Sequence, residues 1–272
     1  MTRGLFTLLA LLWLPAVALA QGQAGTAPPA APARPDAEKA TMRFEWVREA
    51  LESGCGNRCR AWVAASGRIG ETTAADFEAF AKGMDLRGAT VALHSGGGLV
   101  DNGLALGRAF RRLGLVTTVG RTVPSSDTGR GTLSPRATCA SMCAFALVGG
   151  VRRNVPDEAR VLVHQIWPSK LRDDALAASY TAGNMVRIQR ELGQIARYTA
   201  EMGVDMELFE LAMRIPPWEG LRPLTPDELR RMRVHNADGV VDAVVPPTTP
   251  SALCTRIRRS SSPRRAASCR GR

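Results

Sequence analysis

The sequence predicts one α/β domain, on three observations. Short apolar runs that read as strands alternate with helix-like segments. Small-residue breaks stand where strands would hand over to helices, at Ser95-Gly-Gly-Gly98 and Cys139-Ala-Ser-Met-Cys143. The stretch from 42 to 253 has the length of one such domain and shows no repeat of fixed period.

The segments outside that stretch read differently. Residues 1–20 are predicted to be a secretory signal peptide: Arg3 supplies the positive end, Leu5 to Leu14 is almost wholly apolar, and Ala18-Leu-Ala20 is a small-x-small cleavage pattern. The apolar run is too short to favour a membrane span. Residues 21–41, mostly Ala, Pro, Gly, Gln and Thr, read as a flexible linker. Residues 254–272 hold seven arginines and no acid, and read as a disordered basic tail. Of the formal net charge of +11, Arg3 supplies one and the tail seven, which leaves about +3 for the domain. The basic balance is therefore a poor argument for nucleic-acid binding. The tail offers contact to anionic envelope surfaces, and a solvated terminus is the simpler reading. A periplasmic or secreted location is expected. Six cysteines in an exported chain then predict disulfides, with the connectivity open. A zinc site is disfavoured, because Cys55/Cys59 and Cys139/Cys143 lack knuckle spacing and no histidine follows at finger spacing.

Along the domain, residues 43–53 read as an amphipathic helix and 61–69 as a strand bent at Gly67. Thr72 opens a helix to Met84, with Asp76 early and Phe77 and Phe80 on one face. Residues 89–94 form a buried strand, 99–113 a helix ended by Gly114, and 115–119 a further strand. Gly103 and Gly107 would let that helix lie close to a neighbour. Residues 121–136, rich in Ser, Gly, Pro and Thr, read as a long loop. A helix starts at Ser141 and stops at Gly149-Gly150, and 160–163 is a strand. A long helix is expected over 173–202, with an apolar stripe through Met185, Ile188, Leu192, Ile195 and Met202. Leu224-Thr-Pro-Asp-Glu228 starts a helix with proline just inside it, and 239–245 is a last strand.

Three of these junctions carry chemistry. Ser141 stands at a helix start, where the dipole favours negative charge and the Met142 N–H points the same way. Read alone it is an N-cap serine. His164 ends an apolar strand; a lone histidine there is a satisfied core residue by default, and a general base if the strand end faces the serine. Gly98 follows a buried strand and opens a helix, which is a tight turn or a donor to an oxyanion. The lysine and Ser/Thr of a P-loop are missing. His94 is placed near the same cleft, and His235 among surface residues.

Ser95-Gly-Gly-Gly-Leu-Val-Asp-Asn-Gly103 resembles the glycine-rich oxyanion strand of the proteolytic subunit of Clp protease, within the Clp/crotonase superfamily. Ala140-Ser-Met-Cys-Ala144 resembles that family's nucleophile motif and Val163-His-Gln165 its histidine motif. The following long helix resembles the handle helix, and Leu224-Thr-Pro-Asp-Glu228 the segment after the third triad residue. The likeness spans about 61–245 and is closest to the exported branch, in which cysteines flank the serine. It implies a spiral of ββα units, Ser141 as nucleophile, His164 as general base, and the N–H groups of Gly98 and Met142 as oxyanion hole. It also implies a homo-oligomer formed through the 173–202 helix.

One position departs from the family. Its aspartate should fall within Pro216-Pro-Trp-Glu-Gly-Leu-Arg-Pro223, where Glu219 is the sole carboxylate. Glu219 is the candidate third member; a loop acid beside a Ser–His dyad is the alternative. The expected function is that of an exported, ATP-independent serine hydrolase, a peptidase, acting on peptides or unfolded segments without cofactor, metal or ATPase partner. A catalytically inactive binding or scaffold protein of the cell envelope is the alternative, and acyl-ester or thioester chemistry a third reading.

Overall fold

The computed structural model describes residues 40–168, 176, 179–216 and 218–237. The predicted signal peptide, most of the linker, the strand at 239–245, and the tail with Cys254 and Cys269 lie outside the described residues.

The fold is mixed α/β. Among the described residues ten strands run in chain order: β1 (Arg43–Glu49), β2 (Ala61–Ser66), β3 (Thr90–His94), β4 (Val116–Val119), β5 (Arg121–Pro124), β6 (Arg130–Ser134), β7 (Thr138–Ala140), β8 (Arg152–Asn154), β9 (Arg160–Val163) and β10 (Arg222–Pro223). Six α-helices lie among them: α1 (Thr73–Ala81), α2 (Val100–Arg112), α3 (Met142–Leu147), α4 (Ala182–Glu201), α5 (Glu207–Met213) and α6 (Pro226–Arg231). Seven strands form one sheet in the order β5-β6-β1-β2-β3-β4-β8, and a smaller sheet has the order β10-β9-β7. Strands β2, β3, β4 and β8 are mutually parallel. Strands β2, β3 and β4 are short, β-branched or alanine-rich, and almost wholly buried, as expected of a parallel centre, while β8 at the sheet edge is Arg-Arg-Asn with only Arg153 buried.

Two expectations are corrected. Residues 43–49 form a strand, not a helix. The spacing of Phe44, Val47 and Leu51 mimics a helical stripe, but the strand sends apolar side chains to both sheet faces. Phe44 and Trp46 join the main core, and Val47 joins a small cluster with Trp62, Ala64 and Ala92. The polar stretch at 121–136 is not a loop: it holds β5 and β6, an antiparallel pair that extends the sheet through β1. Asp127-Thr-Gly129 turns it, with Gly129 at φ 74°.

The long helix begins at Ala182, where Thr181 Oγ1 accepts from the Asn184 N–H; its expected start at 173 lies outside the described residues. Of the predicted stripe, Ile188, Ile195 and Met202 are buried and Met185 is exposed. Helix α6 starts as the sequence predicts, with Pro226 just inside it, and the structure adds a full capping box between Thr225 and Glu228.

The core joins α2, α3 and α4 to the sheet. Every residue of α3 is buried. Gly107 lets α2 approach α4 and α3: a Cβ there would stand 1.8 Å from the Tyr198 hydroxyl, which itself donates to the Phe145 carbonyl at 2.9 Å. Two arginines close the end of α3. Arg111 donates to the carbonyls of Val148, Gly149 and Gly150, and buried Arg153 donates to those of Gly150 and Arg233. Desolvation, with Arg111 alongside, pushes Arg153 down to about 10.

Candidate active site

Two sheets meet where β3 ends. The Ser95 N–H donates to the Thr138 carbonyl and the Ala140 N–H to the Ser95 carbonyl, both at 2.9 Å. The glycine bend after β3 is thereby laid beside the end of β7. Strand β9 pairs with β7 in parallel, with Ala140 opposite Leu162. Ser141 and His164 therefore leave the same ends of adjacent strands, the usual place for a site in an open α/β sheet.

Their side chains meet there. Ser141 Oγ and His164 Nε2 are 2.8 Å apart, and both residues are half-buried. Ser141 occupies the N-cap position of α3 but its side chain caps no backbone N–H. Its backbone sits at φ 56° and ψ −125°, one of two non-glycine residues with positive φ among those described. That conformation costs on the order of 1–3 kcal/mol and must be held by its surroundings. The Ser141 N–H donates to the Leu162 carbonyl at 2.8 Å, and α3 locks the other side. The hydroxyl is thus turned away from a capping role and toward the imidazole.

The glycine bend closes on this turn so tightly that side chains do not fit. A Cβ on Gly97 would lie 2.6 Å from the Ala140 carbonyl oxygen and 2.7 Å from Ser141 Cβ. One on Gly98 would lie 2.0 Å from the Ile69 carbonyl oxygen. The bend is held by Ile69, whose N–H donates to Gly97 and whose carbonyl accepts from Leu99. Among the described residues the N–H of Gly98 donates to no acceptor, and that of Met142 is one of the unpaired donors at the head of α3. Gly98 and Met142 both line the same cleft as Ser141 and His164.

The cleft has a volume of about 110 Å³. Leu99, Val100 and Ile166 supply apolar lining, and Trp167 stands against Tyr180 and Trp218 with ring centroids 5.4 and 6.4 Å away. Among the described residues the buried indole N–H of Trp167 has no acceptor. Arg68, Arg187 and Glu191 complete the lining. Arg187 Nε donates to Glu191 at 2.7 Å, and that carboxylate holds Arg187 above its ordinary value. Sequence reasoning missed these three residues. The four-residue spacing of Arg187 and Glu191 marks an ion pair on α4, but nothing local tells that it faces a cleft.

Glu219 stands exposed on the turn between α5 and β10. The turn flanks His164, since Gln165 N–H donates to the Ile215 carbonyl and Arg222 pairs with Val163. His94 Nδ1 accepts from the Thr138 N–H and is not among the cleft residues. His235 is half-buried, not superficial, and its Nδ1 accepts from the Val155 N–H.

Cys139 and Cys143 lie at disulfide distance, 2.01 Å between sulfurs, and bracket Ser141. Cys55 and Cys59 form a second such pair. The two pairs fit an oxidising compartment. No helix among the described residues is long and apolar enough to cross a membrane. Among the described residues no three His, Cys, Asp or Glu side chains gather as metal ligands would. No protein-family model matches this chain, and no curated protein matches it.

Proposed function

We propose that this protein is a serine hydrolase acting on peptide bonds. The observation that carries the reading is the 2.8 Å pairing of Ser141 Oγ with His164 Nε2 on a strained strand-to-helix turn. In this reading His164 Nε2 takes the proton as Ser141 Oγ attacks the carbonyl carbon. The N–H groups of Gly98 and Met142 receive the oxyanion of the tetrahedral intermediate. His164 returns the proton to the leaving amine, and the acyl-enzyme is hydrolysed by water through the same base. The strain at Ser141 supports the reading, because a plain N-cap residue gains nothing from it. Glu219, exposed on the turn that flanks the end of β9, is the candidate for orienting the imidazole, and the dyad alone suffices for the steps above.

We infer further that the domain is a Clp/crotonase-like spiral of ββα units with α4 as the handle helix. The order of the glycine bend, the Ser141 turn and the His164 strand along the chain, each at a strand end, supports this reading. Exposed Met185 and Val186 on α4 support a homo-oligomer through that helix. The signal-like segment at 1–20 and the cysteine pairs support a periplasmic or secreted setting. Substrates there would be peptides or unfolded segments that enter without an ATPase.

A second reading, a binding or scaffold protein that kept the fold, is favoured by one observation: the turn at 216–223 carries no aspartate, and its glutamate is exposed. Labelling of the non-reduced protein with an uncharged fluorophosphonate decides between them. The hydrolase reading expects labelling that is lost in Ser141→Ala and His164→Ala, and cleavage of peptides in preference to esters. A folded protein that takes no label, with or without reductant, overturns it in favour of the second reading.

A further inference from the structure

The donor and acceptor inventory of the cleft is one-sided. Its lining side chains include two guanidinium groups, Arg68 and Arg187, and one carboxylate, Glu191. Glu191 is already engaged by Arg187, and Asp101 on the first turn of α2 also attracts Arg187. Arg187 is therefore compensated within the fold. Arg68 is exposed, and no described carboxylate pairs with it. Its position is fixed by its neighbours. Ile69, the next residue, bonds the glycine bend through both its N–H and its carbonyl, so Arg68 is one residue from the backbone that carries the candidate oxyanion donor. The Arg68 N–H is itself tied to the Ala40 carbonyl at 2.7 Å.

We propose that Arg68 is a specificity residue for a substrate carboxylate, so that the enzyme prefers acyl chains bearing an acidic group close to the scissile carbonyl. The proposal rests on the hydrolase reading and names its substrate class. Three features of the cleft favour a carboxylate. An arginine fork matches its two oxygens. Of the other donors, the hydrolase reading assigns the Gly98 and Met142 N–H groups to the reacting oxygen, and the Trp167 indole N–H carries no charge. The side chains of Leu99, Val100 and Ile166 are apolar and offer the carboxylate no competing donor. A basic substrate group would meet Arg68 with no acid to receive it, because Glu191 is held by Arg187. The carboxylate has two chemical sources, an Asp or Glu side chain and the free C-terminus of a peptide.

The experiment measures kcat/KM of the non-reduced protein on a position-scanned set of neutral-dye peptides. Each parent is amidated and carries one Glu, the same position as Gln, or as Lys; a fourth arm is neutral but ends in a free carboxylate. The proposal expects Glu over Gln by about tenfold at one subsite, a preference reduced to under twofold in Arg68→Ala and reversed toward Lys in Arg68→Glu. Raised salt should shrink it, as for any charge pair open to solvent. Arg152→Ala, an exposed arginine on β8 outside the cleft, should keep the preference. Preference confined to the free-carboxylate arm assigns Arg68 to the chain terminus, and preference in the Glu arm to an acidic side chain. Equal rates for Glu and Gln, or an acidic preference that survives Arg68→Ala, overturn the proposal while leaving the hydrolase reading intact. If the fluorophosphonate does not label the protein, the hydrolase reading fails separately. The same peptides are then titrated against Ser141→Ala by polarisation, where tighter binding of Glu than Gln, lost on adding Arg68→Ala, upholds the carboxylate site, and equal binding rejects it.

Discussion

The hydroxyl of Ser141 lies 2.8 Å from His164 Nε2 because β7 and β9 are parallel neighbours in a register that sets Ala140 opposite Leu162. Each residue follows the carboxyl end of its strand, so no long side-chain reach is needed. The cost of the arrangement falls on the serine backbone, which takes a positive φ to aim Oγ across the strand ends. Three surroundings hold it: the bond to Leu162, the glycine bend against Ala140, and the buried helix that follows.

That strain predicts the behaviour of two substitutions. Ser141→Ala removes the hydroxyl and keeps the strained φ; Ser141→Gly removes both. Glycine should be the more stable of the two by about 1 kcal/mol, since it adopts positive φ without steric penalty. In a domain of this size the difference is a rise of about 2–4 °C in Tm. Calorimetry of the two variants checks it. Equal stability would mean the turn carries no stored strain.

The strand-to-turn-to-helix signature at Ser141 and the apolar run ending at His164 were readable locally, because each is a few residues of one element. The 2.8 Å contact between them was not, since it depends on which strands pair. The same reason hid β5 and β6. Their polar residues sit at a sheet edge, where pairing with β1 rather than burial makes the strand. Residues 43–49 misled for the opposite reason: a strand with apolar side chains on both faces carries the spacing of a helix. Arg68 and Arg187 line one cleft from segments more than a hundred positions apart, which no local pattern reveals.

The Cys139–Cys143 pair closes a loop of only a few residues, so its chain-entropy contribution is about 2 kcal/mol. Its position on both sides of Ser141 makes the larger effect local. The variant Cys139→Ala/Cys143→Ala should lose stability on that modest scale yet lose about tenfold or more in the rate of fluorophosphonate labelling. Cys55→Ala/Cys59→Ala, away from the cleft, should leave the labelling rate within twofold. Denaturant titration beside labelling kinetics separates the two effects, and equal labelling rates in both variants would assign the Cys139 pair a purely structural role.

Gly107 and Tyr198 should show strong coupling. Gly107→Ala drives a methyl into the tyrosine hydroxyl, displacing it from the Phe145 carbonyl, and should cost about 3 kcal/mol. Tyr198→Phe alone leaves that carbonyl without its donor, for about 1–2 kcal/mol. In the double variant the closest clash is gone and the ring carbon at 2.9 Å has only a small shift to make, so the combined loss should fall short of the sum by about 1 kcal/mol or more. Urea unfolding of the four proteins gives the coupling directly. Additive losses would show that α2 and α4 relax apart instead of clashing.

The ion pair between Arg222 and Glu228 sets an acid limit for the end of the domain. Arg222 bonds both Glu228 oxygens, at 2.7 and 3.1 Å, and ties β10, which borders the His164 strand, to α6. The Arg222 guanidinium, followed by the Thr225 N–H, draws the Glu228 carboxyl down from 4.5 to about 2. A lowered folded value means that the unfolded chain binds the proton more readily. The stabilisation is complete above pH 4.5 and is lost as the pH falls toward 2. Because the Arg222 side chain is 34% exposed, solvent screening reduces it to about 1–2 kcal/mol. Glu228→Gln should remove that part of the acid dependence: wild type and variant should differ most near neutral pH and converge toward pH 2. Urea titrations at pH 6, 4 and 3 test this, and a difference that stays constant across them would show that the carboxylate charge is not what holds β10 to α6.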